Sequence, residues 1–227
     1  MKKPFPFLIK LVDGFKIRHT LDPDFSNFHG SSTSIRQFAP KYYIPTGEYW
    51  LDVRVKDEQD FFIRAELITR PKHIKPGLAF RAYIKEKLCI RGAVPTFRKH
   101  EKQMRGYRLV MVDGKVIRQY LDPEFTYGGH DLVYPYIPKN EVWIETAMHP
   151  KEISFYVHHE LVERTLMAKG ISYDVAHEHA TVAEKQMRRA HGGFYPGDEG
   201  NPWAKLTDAE IRNKYYVGAR AKNRKNG

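Results

Sequence analysis

Residues 155–184, FYVHHELVERTLMAKGISYDVAHEHATVAE, concentrate side chains that bind metals and move protons. His158, His159, Glu160 and Glu163 come first, then His177, Glu178, His179 and Glu184. His159 and Glu163 are four residues apart, so on a helix they share one face. Tyr156, Leu166 and Met167 fall on the same side. An imidazole and a carboxylate are thus set into an apolar stripe. Burying them unpaired costs several kcal/mol. They need each other, a partner from a neighbouring helix, or a cation.

The spacing supplies the neighbour. Gly170 suits the position just past a helix end and Ser172 suits the cap of the next helix. A connection that short makes the two helices antiparallel neighbours. Glu163 stands seven residues before Gly170 and His177 five after Ser172. At about 1.5 Å rise per residue these two sit at nearly the same height. Glu184 falls nearer the level of His159. The expectation is that His159, Glu163 and His177 converge as metal ligands. Two imidazoles and a carboxylate with an open position are the donor set of a catalytic zinc site, although iron and manganese accept the same ligands. Glu160 would then be the catalytic general base. His158, Glu184 and His179 would orient the ligands or meet substrate. The competing arrangement is a polar network: His159 pairs with Glu163, His177 bonds to either, and His158 and His179 are solvated. His130, in YGGHDLVYPYIP, is an outer-ligand candidate or a turn residue.

His159-Glu160-x-x-Glu163 resembles the HExxH helix of zincin metallopeptidases, with a carboxylate in place of the second histidine. The resemblance covers about 30 residues and implies a third ligand from a following antiparallel helix, as in the gluzincin branch. The longer pattern HELVE-x-x-LM-x-x-G-x-x-Y-x-x-AH is also similar to uncharacterised phage and mobile-element proteins. It implies no activity.

The elements around this segment repeat. Val12–Phe25 and Val112–Phe125 are identical at nine of fourteen positions. YIPTGEYWLD (43–52) answers YIPKNEVWIE (136–145), and EKQMR occurs at 101–105 and 184–188. This reads as an internal duplication. Asp-Gly between β-branched runs predicts a hairpin, Leu-Asp-Pro ends its second strand, a third strand runs through Trp50 or Trp143, and a helix follows. The predicted fold is α+β: two duplicated β-β-β-α modules, the second ending in an antiparallel helical hairpin. In the second copy Tyr173, Ala176, Ala180, Ala183 and Met187 mark the packing stripe of the later helix. The first copy places Ala65 opposite His159, Glu66 opposite Glu160 and Thr69 opposite Glu163. The expected domains are a basic first module over 1–105, a second over 106–203 with the candidate site, and a short helix with a basic tail over 204–227. Thr207 and Glu210 form a capping box for that helix.

The chain carries a net charge of +11. Between Arg64 and Arg105, twelve Lys or Arg face only Glu66, Glu86 and Glu101. Such a stretch attracts polyanions, and Arg81, Lys85, Lys87, Arg91, Arg98 and Lys99 are the candidate contacts to nucleic acid or an acidic protein partner. A non-catalytic, basic nucleic-acid-binding or structural protein is therefore the second functional reading. One cysteine, Cys89, excludes an internal disulfide and a cysteine-rich zinc module, and it has no His or Asn partner at a spacing that suggests nucleophilic work. With no apolar run near the roughly 20 residues of a membrane span, the expectation is a cytoplasmic protein.

Overall fold

Each copy of Val-Asp-Gly-x-x-Ile-Arg-x-x-Leu-Asp-Pro-x-Phe opens with a strand and turns into a helix, not into a second strand. The chain was analysed as a computed structural model that describes residues 7–30, 43–69, 78–193 and 207–217. Its elements are β1 (Leu8–Val12), α1 (Gly14–Thr20), β2 (Phe28–Gly30), β3 (Glu48–Asp52), α2 (Gln59–Thr69), α3 (Leu78–Leu88), β4 (Arg98–Met104), β5 (Tyr107–Val112), α4 (Gly114–Tyr120), β6 (Gly128–His130), β7 (Glu141–Glu145), α5 (Ile153–Met167), α6 (Tyr173–Ala190) and α7 (Asp208–Tyr215). The fold is α+β. It divides into one unit of Met1–Lys87 with Tyr195–Gly227 and a second of Leu88–Phe194.

The predicted hairpin fails because Asp-Gly caps a helix here. Asp13 accepts the Lys16 N–H at 3.4 Å and Asp113 the Val116 N–H at 3.3 Å, the bonds of an N-cap. Gly14, Ile17 and Arg18 are buried, as are Gly114, Ile117 and Arg118. That is a helical period, and the β-branched residues around it obscured it. Within each unit the outer strands flank a central one: β1-β3-β2 in the first and β5-β7-β6, extended by β4, in the second. β1 runs parallel to β3 and β5 parallel to β7, whereas β2 and β6 are antiparallel to the same central strands. A parallel pair needs a crossover, and the short helix forms part of it.

The repeated residues are structural. Arg118 donates Nη1–H and Nη2–H to the two Glu145 oxygens at 2.9 and 2.6 Å, and Nη1–H to the Phe125 carbonyl at 3.3 Å. Arg18 does the same work with Asp52 and the Phe25 carbonyl, both at 3.1 Å. All four charged side chains are fully buried or nearly so. The glycines make room for these pairs: a Cβ on Gly14 would lie 1.9 Å from Asp52 Oδ2, and one on Gly114 2.4 Å from Glu145 Cδ. Asp22 and Asp122 accept the N–H of the residue two further on, each at 3.0 Å, which shapes the turn before Phe25 and Phe125. Tyr43, Trp50, Tyr134 and Trp143 are buried in the cores and Tyr136 packs against one, which accounts for the matched aromatics.

The units differ at their outer edges. In the second, β4 pairs with β5, and Phe97 O accepts the Asp113 N–H at 2.7 Å. In the first, the end of α7 takes that place: Tyr215 O accepts the Asp13 N–H at 3.0 Å, and Val12 bridges to Tyr216. This moves two expected boundaries. Residues 88–105 belong to the second unit because β4 is a strand of its sheet, and α7 belongs to the first unit because Ile211 and Tyr215 fill its core. It also corrects the reading of EKQMR as a repeated block. At 101–105 most of it is exposed strand, whereas at 184–188 it is helix, with Glu184 and Arg188 buried. Tertiary setting outweighs the propensity of five residues.

After β7 a 3-10 turn, Pro150–Glu152, leads into α5. The helix ends in a Schellman motif: Ile171 N–H reaches Leu166 O at 3.2 Å, Gly170 N–H reaches Met167 O at 2.9 Å, and Gly170 takes φ +86°. Ser172 precedes α6 in extended conformation without a side-chain cap bond. The capping box of Thr207 and Glu210 is present. Among the described residues no helix is long and apolar enough to cross a membrane.

Candidate metal centre

The α5–α6 hairpin brings His159, Glu163 and His177 to one point. His177 Nδ1 lies 2.8 Å from Glu163 Oε2 and 3.2 Å from His159 Nε2, and His159 Nε2 lies 3.6 Å from Glu163 Oε2. Zinc bound tetrahedrally at about 2.0–2.1 Å spaces its N and O donors about 3.3 Å apart. The observed triangle brackets that value, so the three residues fit a zinc ion. His159 and Glu163 are buried, while the His177 side chain is 39% exposed and opens the site on its side. Tyr173 stacks on the His177 ring at 5.5 Å.

Behind the triangle is an orienting chain. His159 Nδ1 faces Glu184 Oε2 at 2.9 Å, Glu184 Oε1 accepts the Arg188 Nε–H at 2.7 Å, and Arg188 Nη2 reaches Glu152 Oε1 at 3.2 Å. With the His159 proton on Nδ1, its Nε2 lone pair points at the triangle. Glu184 was expected to orient a ligand. Arg188 and Glu152 were missed, although Arg188 follows Glu184 by one helical turn and gave that signal. The burial stripe of α6 is Ala176, Ala180, Glu184 and Arg188, not the expected Ala183 and Met187, and Tyr173 is exposed.

Glu160 is 8% exposed, and no hydrogen bond to its carboxylate is found among the described residues. It lies against Gly128: a Cβ there would sit 3.0 Å from Glu160 Oε1. One of its oxygens, a Glu163 oxygen and a His130 ring nitrogen all lie within 4.8 Å of one another, a second grouping beside the first. His130, at the end of β6, points Nε2 at Glu163 Oε1 at 3.0 Å. The next residue repeats the link, since Arg164 Nε donates to Asp131 Oδ1 at 2.6 Å.

The electrostatics follow from burial and crowding. Burial pushes the Glu160 carboxyl up to about 8. Burial also opposes charging of Glu163, but hydrogen bonds from His130, His159 and His177 override it and hold Glu163 well below the ordinary carboxylate range. For His159, burial is again opposed by Glu163 and Glu184, and the balance holds the imidazole well above its ordinary value. In the free protein a proton on His159 therefore offsets the surrounding carboxylates. Arg188 is shared by Glu152 and Glu184, while Glu163 is met only by imidazoles among the described residues, and exchanging the His159 proton for a divalent cation would add positive charge to this buried cluster.

The other expected residues do not join. His158 is half-buried and makes no hydrogen bond among the described residues, and His179 is exposed. Both were expected to orient ligands or meet substrate, and neither hydrogen-bonds to a candidate ligand among the described residues. The basic candidates fall in both units. Lys85 and Lys87 are exposed in the first unit, Lys87 against Glu86 at 2.7 Å, and the Arg81 side chain lies outside the described residues. In the second unit Arg91 is exposed and Lys99 faces Asp113 at 3.7 Å. Arg98 spans both Glu141 oxygens at 2.8 and 3.0 Å, so it braces the sheet edge.

The first unit has the same place filled. Ala65 and Thr69 stand for His159 and Glu163, and the strand registers put Phe28, Gly30 and Tyr49 opposite Gly128, His130 and Val142. Glu66, the counterpart of Glu160, accepts the Tyr49 O–H at 2.7 Å, and Phe28 stacks between Tyr49 and Phe62. No protein family, curated protein or solved structure matches the chain.

Proposed function

We propose that the second unit is a zinc-dependent hydrolase of peptidase type. The observation that carries this reading is the triangle of His159 Nε2, Glu163 Oε2 and His177 Nδ1 beside Glu160, a buried carboxylate with no hydrogen-bond partner among the described residues. His159, Glu163 and His177 would hold the ion, which when bound supplies Lewis acidity toward a carbonyl oxygen. Glu160 is the general base. Burial pushes the metal-free carboxyl up to about 8, and a cation bound beside it would draw it down, so that the proton-accepting carboxylate is populated near neutral pH. Glu184 orients His159 through Nδ1. Substrate enters past His177, the most open of the three ligands.

The filled counterpart in the first unit supports the assignment. There, Ala65, Thr69 and Gly30 stand where His159, Glu163 and His130 would be, and Glu66, the counterpart of Glu160, accepts the Tyr49 O–H, which is how a core disposes of a site it does not use.

Elemental analysis of the purified, untagged chain tests the reading. We expect about one zinc per chain, lost in His159→Ala. Glu160→Gln should retain the metal and lose hydrolysis of a fluorescent casein. A wild-type chain that takes up no zinc would make the cluster a structural polar network.

A further inference from the structure

The second grouping, His130 with Glu160 and Glu163, reads at first as another metal site sharing Glu163 as a bridge. The hydrogen bonding of His130 argues against it. His130 Nδ1 accepts the Leu132 N–H at 3.2 Å, so in the neutral imidazole the single proton sits on Nε2. A ring nitrogen carrying a proton is not a ligand. It is a donor, and Glu163 Oε1 lies 3.0 Å away to receive it.

We infer that His130 is a positioning residue for the metal centre: it ties down Glu163 Oε1 so that Oε2 alone is presented, and it keeps the centre mononuclear. This rests on the metal reading above. Three further features hold the donor in place. His130 is fully buried, its backbone pairs with Val142 across β6–β7, and its carbonyl accepts the Val133 and Tyr134 N–H groups at 3.1 and 3.0 Å. The Asp131–Arg164 pair fastens the same loop to the next residue of α5. Gly129 lets the strand end approach so closely, since a Cβ there would meet the Tyr134 ring at 2.5 Å. The copy that lacks the metal donors has Gly30 where His130 stands, so the donor is absent together with the ligands it would serve.

Cobalt(II) titration followed by visible absorption tests this on the full chain. Wild type should bind one Co²⁺ with the intense bands of a four-coordinate ion. His130→Ala should bind it about 10–100-fold more weakly, with weaker bands as Glu163 becomes free to chelate through both oxygens. His130→Gln, which restores a donor, should recover most of both. Because the stoichiometry is read on wild type, the question stands even where His130→Ala fails to fold. Two Co²⁺ per wild-type chain, or an unchanged spectrum and affinity in a folded His130→Ala, would overturn the role of His130 while leaving the metal reading intact. No Co²⁺ or Zn²⁺ binding by wild type would overturn the metal reading itself, and this role with it.

Discussion

Glu184 Oε2 stands 2.9 Å from His159 Nδ1 across the α5–α6 hairpin, while its other oxygen takes the Arg188 Nε–H at 2.7 Å. One buried carboxylate therefore serves a candidate ligand and a structural guanidinium together. Glu184→Ala removes both links. Breaking a buried ionic pair costs about 3–5 kcal/mol, and we expect urea unfolding to show a loss of that size. Glu184→Gln should keep more of the stability yet weaken zinc binding by about 10–100-fold. A Glu184→Gln chain with wild-type affinity would remove Glu184 from the orienting chain.

The metal-free protein should lose stability as pH rises from about 5 to 8. Glu160 titrates near 8 when folded and near its ordinary carboxylate value when unfolded, so over that window the folded state holds the extra proton. His159, held above its ordinary value, acts in the same direction from its unfolded pKa upward. Glu163 acts oppositely: its contribution is lost as pH falls below the ordinary carboxylate range. Urea midpoints measured across pH in chelator should fall toward the alkaline side, and a flat profile would show that these groups are not buried as described.

Zinc binding should release protons, because the ion takes the place of the proton held on His159. Calorimetry at pH 7 in buffers of different ionisation enthalpy measures this directly. We expect net release and an affinity that rises with pH. An apparent enthalpy independent of buffer would contradict the exchange.

Gly114→Ala places a methyl group against a Glu145 carboxylate that Arg118 holds by two hydrogen bonds. The side chain has no free direction in which to yield. Overpacking of this kind costs about 1–3 kcal/mol, and the variant should unfold at correspondingly lower denaturant. Gly14→Ala should behave alike against Asp52.

Tyr49→Phe deletes the hydroxyl that bonds to the fully buried Glu66. Losing a hydrogen bond to a buried charged group costs about 1–3 kcal/mol. Adding Glu66→Gln should recover part of the loss, and a double-mutant cycle on unfolding free energy measures the coupling. Additive effects would show that the bond does not stabilise this unit.

The candidate ligands were legible because helical rise and a short, capped turn are local rules. Seven residues down one helix and five up the next are enough to level Glu163 with His177. His130 was harder to place. It comes from a three-residue strand more than thirty residues away, and its chemistry depends on a backbone N–H that a sequence does not show. Gly128-Gly129 ahead of it was the available sign, since paired glycines in a strand mark close approach. The Asp-Gly steps were misread for a related reason. Asp serves both hairpins and helix caps, and the buried Arg that decides between them finds its carboxylate only in the folded unit.

The two ways of covering a sheet edge have a consequence during synthesis. In the second unit β4 lies just ahead of β5, so its edge is covered as soon as the following strands exist. The first unit takes its cover from residues 207–217, beyond the whole of the second. While the ribosome is still making residues 88–206, the Leu11–Asp13 edge lacks this pairing, and an unpaired strand edge is the kind of surface that invites pairing with other chains. The first half is begun early and closed late, and the half bearing the candidate site completes itself in between.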